Sequence, residues 1–174
     1  MSRPFPAPQH NPGRQMRPWW TYLVLWGLIV CWSSVLSISY PAHASEKRFP
    51  GVESPGRAQT NYALNCQGCH GAKAAGLPGS VPGMQNFVAR FLSVKGGRDY
   101  LIRVPGMANA ALPDDELAEL ANWVLATFDL AHMSVDFTPY TVAEVGRLRR
   151  QPFIADAARH RAALVRAMKQ TSGQ

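Results

Sequence analysis

Cysteine is scarce in this sequence of 174 residues, which contains only three. Cys31 lies in an apolar N-terminal segment, so the rest of the chain has only Cys66 and Cys69. A zinc site would need two further ligands at suitable spacing, and none is evident beside this pair. A thioredoxin-type redox pair would need a βαβ setting, which the sequence does not predict. The two thiols must therefore serve another purpose.

Acidic residues are also few, with 11 Asp and Glu against 18 Lys and Arg and a net charge of +7. From residue 45 to residue 130 the two signs balance, whereas the segment after Leu130 has seven basic and three acidic residues. This localised excess argues against a general basic surface for nucleic acid. It is compatible with docking to an acidic partner or with a solvated basic face.

No acid–base pair or nucleophile is evident, so the sequence predicts no catalytic residue. The densest acidic group is explained as the first turn and solvated face of a helix, where carboxylates are favourable. It consists of Asp114, Asp115, Glu116 and Glu119.

One long stretch, residues 21–38 (TYLVLWGLIVCWSSVLSI), has no charge. Arginines precede it, and Ala42-His43-Ala44 supplies an A-x-A cleavage site, so we predict that residues 1–44 are a signal peptide. The stretch is also close to the minimum length for spanning a bilayer, so an uncleaved membrane anchor is the alternative. Either way the remaining chain is exported, which predicts a periplasmic protein.

The most informative motif is Cys66-Gln67-Gly68-Cys69-His70, which has the C-x-x-C-H pattern of covalent c-type haem attachment. Two thiols three residues apart lie one turn apart on a helix and can face the side groups of one porphyrin. The following histidine can then serve as the proximal iron ligand. The motif predicts one haem c, anchored by Cys66 and Cys69 and ligated by His70.

The flanking patterns predict helices throughout. Ser54 and Pro55 resemble the N-cap and first residue of a helix that continues into the haem motif, with Tyr62 and Leu64 as core contacts. A Gly- and Pro-rich loop follows. Further helical segments are predicted at 84–93, at 99–104 and from Pro113 to Phe128, the last with a clear apolar stripe.

From about Pro55 to Phe128 the sequence resembles the class I cytochrome c family. The resemblance implies an all-α fold in which the first and last helices of the haem domain cross, with Trp123 at the crossing. It also places Pro82, Met84 and Trp123 in the haem pocket, with the Pro82 carbonyl accepting a hydrogen bond from His70. Finally, it implies single-electron transfer between a redox donor and acceptor, through transient contacts, rather than enzymatic activity.

The same resemblance implies methionine as the distal iron ligand. Met107 follows a short helix and a Pro-Gly turn, as in the family, whereas Met84 is better explained as packing on the porphyrin. The family often has proline directly after the ligand methionine, but Ala108 follows Met107 here. Residues beyond the last helix of the domain could in principle reach the iron instead: His132, Met133 and His160.

We predict a haem domain at residues 45–130 and a helical extension at 131–174. Thr141 and Glu144 form a capping-box pattern, and Pro152 separates this helix from a second one beginning near Ile154. The extension either packs on the haem domain or docks a redox partner through its basic face. Apolar residues predicted on one face of the second helix are Ile154, Ala157, Ala158, Leu164, Val165 and Met168.

Two other functions remain open. A haem enzyme or a sensor of gases or peroxide would leave the sixth iron position open or weakly held. A membrane-tethered subunit of a dehydrogenase or oxidase complex would retain residues 21–38, and only in that case would the membrane be a partner.

Sequencing of the mature N-terminus separates the signal peptide from the anchor. We expect the exported protein to begin at Ser45, because cleavage follows the small residues of an A-x-A site. A haem-stained product that retains residues 21–38 would contradict the signal peptide and support the tethered alternative.

Overall fold

The computed structural model describes residues 49–172, and helix α1 spans Pro55–Asn65 within them. The Ser54 hydroxyl accepts a hydrogen bond from the backbone N–H of Arg57 at 3.4 Å, and Pro55 occupies the first turn. These are the predicted start signals. Tyr62 is buried as expected, but Leu64 is 78% exposed, so its prediction as a core contact is wrong. Leu64 lies two residues from Tyr62 and therefore on another side of the helix.

The middle of the chain contains short helices. Helix α2 is a single turn, Gln67–His70. A first 3₁₀ helix spans Val88–Ser93, α3 spans Gly97–Arg103 and α4 spans Pro105–Ala108. The helix predicted over 84–93 is thus shorter and tighter than expected. Asn86 has a φ of +54°, a left-handed conformation that an α-helix cannot contain.

Helix α5 spans Asp114–Asp129 and packs against α1, which confirms the pairing expected for the first and last helices of the haem domain. An aromatic cluster fills the contact. The Tyr62 ring centroid lies 5.6 Å from that of Trp123 and 5.0 Å from that of Phe128. Large tilted ring pairs of this kind contribute both buried area and favourable ring contacts.

Glu119 of α5 is only 5% exposed, which corrects the prediction that it lies on a solvated face. Its carboxylate accepts hydrogen bonds from the backbone N–H groups of Glu53 and Ser54 and from the Arg57 guanidinium. Burial raises the pKa of Glu119, but these donors outweigh burial and hold the pKa below its usual value. Glu119 therefore ties the start of α1 to α5.

The extension begins with a second 3₁₀ helix, Leu130–His132, and continues with α6 (Val142–Arg149) and α7 (Ala157–Ser172). The capping prediction for α6 is confirmed, since the Glu144 N–H donates to the Thr141 hydroxyl at 3.2 Å. Helix α6 packs against α3 and α5, and α7 packs against α3 and the first 3₁₀ helix. Ile154 precedes α7 and is 80% exposed, so the prediction that it belongs to the apolar face of this helix is wrong.

Residues 49–172 contain no β-strand, only an isolated bridge between Leu77 and Val81. The predicted all-α class is therefore confirmed for the part of the chain that the structure describes. Among the helices in this range, none has the length and apolar character needed to cross a bilayer. The predicted signal peptide or anchor, residues 1–44, lies outside the described residues.

Asn122 of α5 joins three parts of the chain and is 1% exposed. Its amide nitrogen donates to the carbonyls of Gly51 and Tyr140, both at 3.1 Å. Its amide oxygen accepts from the Tyr140 N–H at 2.8 Å. The amide thus satisfies backbone groups of the N-terminal lead and of the extension at once.

Replacing Asn122 with leucine should lower the free energy of unfolding by about 2–5 kcal/mol, because buried backbone groups of Tyr140 and Gly51 would lose their partners. The measurement is chemical denaturation of the haem-loaded protein. Gln59→Leu on the exposed side of α1 is the matched control and should change the free energy by less than about 0.5 kcal/mol. Equal effects of the two variants would contradict this role.

Candidate functional site

The C-x-x-C-H residues form the junction between α1 and a single-turn helix, α2, which spans Gln67–His70. The Cys66 N–H still donates to the Tyr62 carbonyl, and the His70 N–H donates to the Cys66 carbonyl at 2.9 Å. Cys66 is half-buried and Cys69 is exposed. The aromatic packing of Tyr62 therefore anchors the turn that carries both thiols and the imidazole.

The His70 ring has a defined tautomer. Its Nδ1 lies 3.1 Å from the Pro82 carbonyl oxygen, which can only accept a hydrogen bond. Nδ1 therefore donates this hydrogen bond, and in the neutral ring Nε2 has the lone pair that binds a metal. The structure thus brings together Pro82 and His70 as the resemblance implied.

The loop between His70 and Met84 holds the Pro82 carbonyl in place. The Gly76 N–H donates to the His70 carbonyl at 2.9 Å, and the Met84 N–H donates to the Ala74 carbonyl at 2.8 Å. Gly76 has a φ of +72°, and a Cβ there would lie 2.7 Å from the Gly83 nitrogen. Glycine is required at this position because the chain folds back tightly on itself.

A cavity of about 610 Å³ lies against this segment. Its volume falls within the range of pockets that hold ligands of cofactor size, roughly 300–1,000 Å³. Cys66, Cys69 and His70 line one side, and α5 supplies Ala121, Val124 and Leu125. This largely apolar lining, next to two thiols and a free imidazole nitrogen, fits a flat porphyrin attached through C-x-x-C-H.

Both candidate methionines line this cavity. Met107 comes from α4, and Met84 comes from the end of the loop that holds Pro82. The other proposed distal ligands do not line it. His132 pairs with Asp129, Met133 packs on the core, and the His160 ring lies 4.0 Å from that of Phe153.

Trp123, which the resemblance places both at the helix crossing and in the haem pocket, lies at the crossing. Its indole packs against Tyr62 and Phe128 between α1 and α5, and it is not among the side chains that line the cavity. Its neighbours Ala121 and Val124, which do line the cavity, point toward a different side of α5.

Several cavity residues come from distant segments and are not among the site residues predicted from the sequence. Tyr100 lies on α3, Tyr140 precedes α6, and Arg161 lies on α7 together with the small residues Ala157, Ala158 and Ala162. Arg161 also approaches the Phe87 ring, with 5.5 Å between its guanidinium carbon and the ring centroid. No local motif marks these residues, because the tertiary packing of α3 and of the extension brings them to the cavity.

Burial affects the titratable groups of the cavity. It raises the pKa of the Cys66 thiol, and the neighbouring Cys69 thiol raises it further. Burial also raises the pKa of the Tyr100 phenol, an effect that the charge of Arg161 partly offsets. Arg161 therefore brings positive charge close to the Tyr100 side of the cavity.

The residues described contain no cluster of three His, Cys, Asp or Glu side chains able to hold a metal ion. A covalently anchored porphyrin with a single histidine ligand is the arrangement that these residues fit.

The fold and site together define a helical haem-binding protein, and sequence comparison assigns the family. No protein-family model matches the chain. A cytochrome c-552 of Thermus thermophilus is 33% identical over 102 residues, which cover 48% of this chain and 78% of the relative. A second cytochrome c-552, from a culture-collection strain of Thermus thermophilus, has the same identity over 102 residues and is covered to 69%.

This chain belongs to the c-type cytochrome family, as the identity to these relatives and their coverage show. The membership confirms the predicted cofactor, haem c, and electron transfer as the general role. It also agrees with the all-α fold described above.

The loop geometry makes a testable prediction about Gly76. Gly76→Ala should lower the free energy of unfolding of the haem-loaded protein by more than about 2 kcal/mol. Alanine is strained in the left-handed backbone conformation, and its Cβ would in addition clash with neighbouring backbone atoms. Denaturant titration of the haem-loaded protein measures this loss.

Gly79→Ala is the matched control, since Gly79 has a φ of +79° but a Cβ there would meet nothing within 4 Å. Gly79→Ala should lower the free energy of unfolding by only about 1–2 kcal/mol, the backbone strain of alanine in a left-handed conformation. If the two variants are equally stable, the tight turn at Gly76 does not hold the loop.

Proposed function

We propose that this protein carries single electrons between redox partners in the periplasm through one covalently bound haem. In this proposal Cys66 and Cys69 anchor the haem through thioethers, and His70 is the proximal iron ligand. The observation that carries the proposal is the position of both thiols and the imidazole on the wall of one largely apolar cavity. Bound haem supplies a one-electron couple between ferric and ferrous iron.

The Pro82 carbonyl has a positioning role in this proposal. By accepting a hydrogen bond from the Nδ1–H of His70, it orients the ring and makes Nε2 a stronger ligand. The loop hydrogen bonds of Gly76 and Met84 hold that carbonyl. The His70 ring is therefore already oriented for iron binding before any redox partner docks.

We propose Met107 as the distal ligand and Met84 as a packing contact of the porphyrin. Met107 follows the Pro-Gly turn of the family pattern and comes from α4, a different segment from the one that carries His70. Met84 instead directly follows Gly83 in the loop that holds Pro82, so it belongs to the same chain segment as the proximal ligand His70. A thioether opposite imidazole favours electron transfer over the binding of small molecules.

Polar groups of the cavity are suited to the carboxylates of the haem. Arg161 and Tyr100 line it together, and no Asp or Glu within residues 49–172 does so. A basic side chain beside a phenol offers charge-assisted hydrogen bonds to a carboxylate.

An electron carrier needs an accessible cofactor edge and a transient interface. Cys69 is exposed, so an anchored porphyrin would have one edge at the surface. Redox encounters use small interfaces, often below about 1,200 Å². The donor and acceptor are accordingly proposed to be proteins that dock briefly at this edge.

The division into a haem domain, 45–130, and an extension, 131–174, is also part of the proposal. The boundary is proposed from the family resemblance, whereas the packing of the extension on the haem domain is supported by the contacts of α6 and α7 with α3, α5 and the first 3₁₀ helix. Both helices lie in the same compact unit as the haem-binding segment. We propose that the extension mainly packs on the haem domain and that its basic outer face assists docking.

Substitution of the two methionines tests the distal ligand. Met107→Ala should abolish the long-wavelength absorption band of methionine-ligated ferric haem, lower the reduction potential and let the ferrous protein bind CO. Met84→Ala is the matched control and should keep the band while destabilising the fold by about 2–5 kcal/mol at most. Absorption spectra, redox titration and CO binding measure these effects.

The reverse result for the two variants would exchange the roles of Met107 and Met84. Rapid CO binding by the unaltered ferrous protein, with no long-wavelength band, would instead favour the enzyme or sensor function with an open sixth position.

A further inference from the structure

Arg149, the last residue of α6, contacts the segment that follows Met107. Its side chain is only 16% exposed. The segment between α4 and α5, residues 109–113, has no helix of its own. Since α6 packs against both α4 and α5, the Arg149 guanidinium lies where this segment turns.

The guanidinium binds this segment through four hydrogen bonds. Its Nε donates to the Ala108 carbonyl at 3.1 Å and one Nη donates to the Leu112 carbonyl at 2.7 Å. The other Nη donates to the Ala110 carbonyl. The Asp114 carboxylate accepts a further bond at 3.0 Å and completes the ion pair. One planar side chain thus donates hydrogen bonds to three carbonyls from alternate residues of the same segment.

This set of contacts suits arginine and not lysine. A guanidinium has five N–H donors in a rigid plane, whereas an ammonium is a compact group with three donors and cannot bridge the same span. Gly146 gives Asp114 the space it needs, because a Cβ there would overlap the carboxylate and lie 3.1 Å from its Cγ.

The first of the three carbonyls belongs to Ala108, which directly follows Met107. The family often has proline at that position, and proline would restrict the backbone locally. Here Ala108 leaves the backbone freer, and the guanidinium of a distant helix restrains it instead. The same loop is therefore held by a contact across the fold.

We propose that Arg149 is the positioning residue of the distal ligand: it holds the 108–114 segment so that Met107 stays on the iron. This inference rests on the proposed ligation by Met107. Arg149 raises the barrier to movement of the Met107 loop and so restricts access of external ligands to the sixth position.

Imidazole binding to the ferric, haem-loaded full chain tests the proposal. Arg149→Ala should retain the long-wavelength band of methionine ligation. Its affinity for imidazole, or the rate at which imidazole binds, should rise roughly tenfold, because the charge-assisted hydrogen bonds that hold the loop are gone. Arg149→Lys should lie between this variant and the unaltered protein. Asp114→Asn, which keeps the carbonyl contacts, should show a smaller effect in the same direction.

Arg98→Ala is the matched control for general destabilisation. Arg98 also ties the extension to the haem domain through the carbonyls of Thr138 and Pro139 and through the Glu144 carboxylate. None of its hydrogen bonds involves residues 108–114. Its loss should lower the melting temperature without changing imidazole binding.

Equal imidazole binding by Arg149→Ala, Arg98→Ala and the unaltered protein would overturn the positioning role while leaving Met107 as ligand. If Arg149→Ala does not fold, Arg149→Lys and Asp114→Asn decide the same question by the same comparison. If Met107→Ala keeps the band and binds imidazole like the unaltered protein, the ligand assignment fails and the positioning role fails with it.

Discussion

The packing of α1 against α5 is the contact on which the haem site depends, because each helix supplies one wall of it. Helix α1 continues directly into the C-x-x-C-H turn, while α5 lines the cavity with Ala121, Val124 and Leu125. The aromatic cluster of Tyr62, Trp123 and Phe128 fills the space between the helices. Burial of such large side chains contributes a few kcal/mol each, so it outweighs the modest gain from the Arg57–Glu119 pair.

The extension is joined to the preceding part of the fold by polar contacts at three places. Asn122 binds the backbone of Tyr140, Arg98 makes a two-point contact with Glu144, and Arg149 binds the segment after Met107. The Arg98 guanidinium holds the pKa of Glu144 below its usual value. Individual surface ion pairs contribute little to stability, so the importance of these contacts lies in geometry. They fix where α6 lies relative to the cavity.

Much of the fold could be predicted from sequence because its signals are local. Three predicted helices are confirmed where such signals occur. Ser54 caps α1, Thr141 caps α6, and α5 has an acidic first turn and an apolar stripe. The failures have equally physical causes. Residues 84–93 have the spacing of an α-helix, but the left-handed Asn86 and 3₁₀ geometry shorten it. Leu64 and Ile154 are apolar but exposed, since hydrophobicity alone does not specify which face is covered.

The sequence by itself determined which reactive groups residues 66–70 bring together. Two thiols and an imidazole at this spacing lie close to one another within a single turn of backbone, whatever the rest of the fold does. The pairing of His70 with Pro82 also followed from the family pattern over a short separation. Only the tertiary structure decided that Arg149 meets the loop after Met107 and that Arg161 lines the cavity. These partners lie tens of residues apart, and their contact depends on how α6 and α7 pack, which no local pattern encodes.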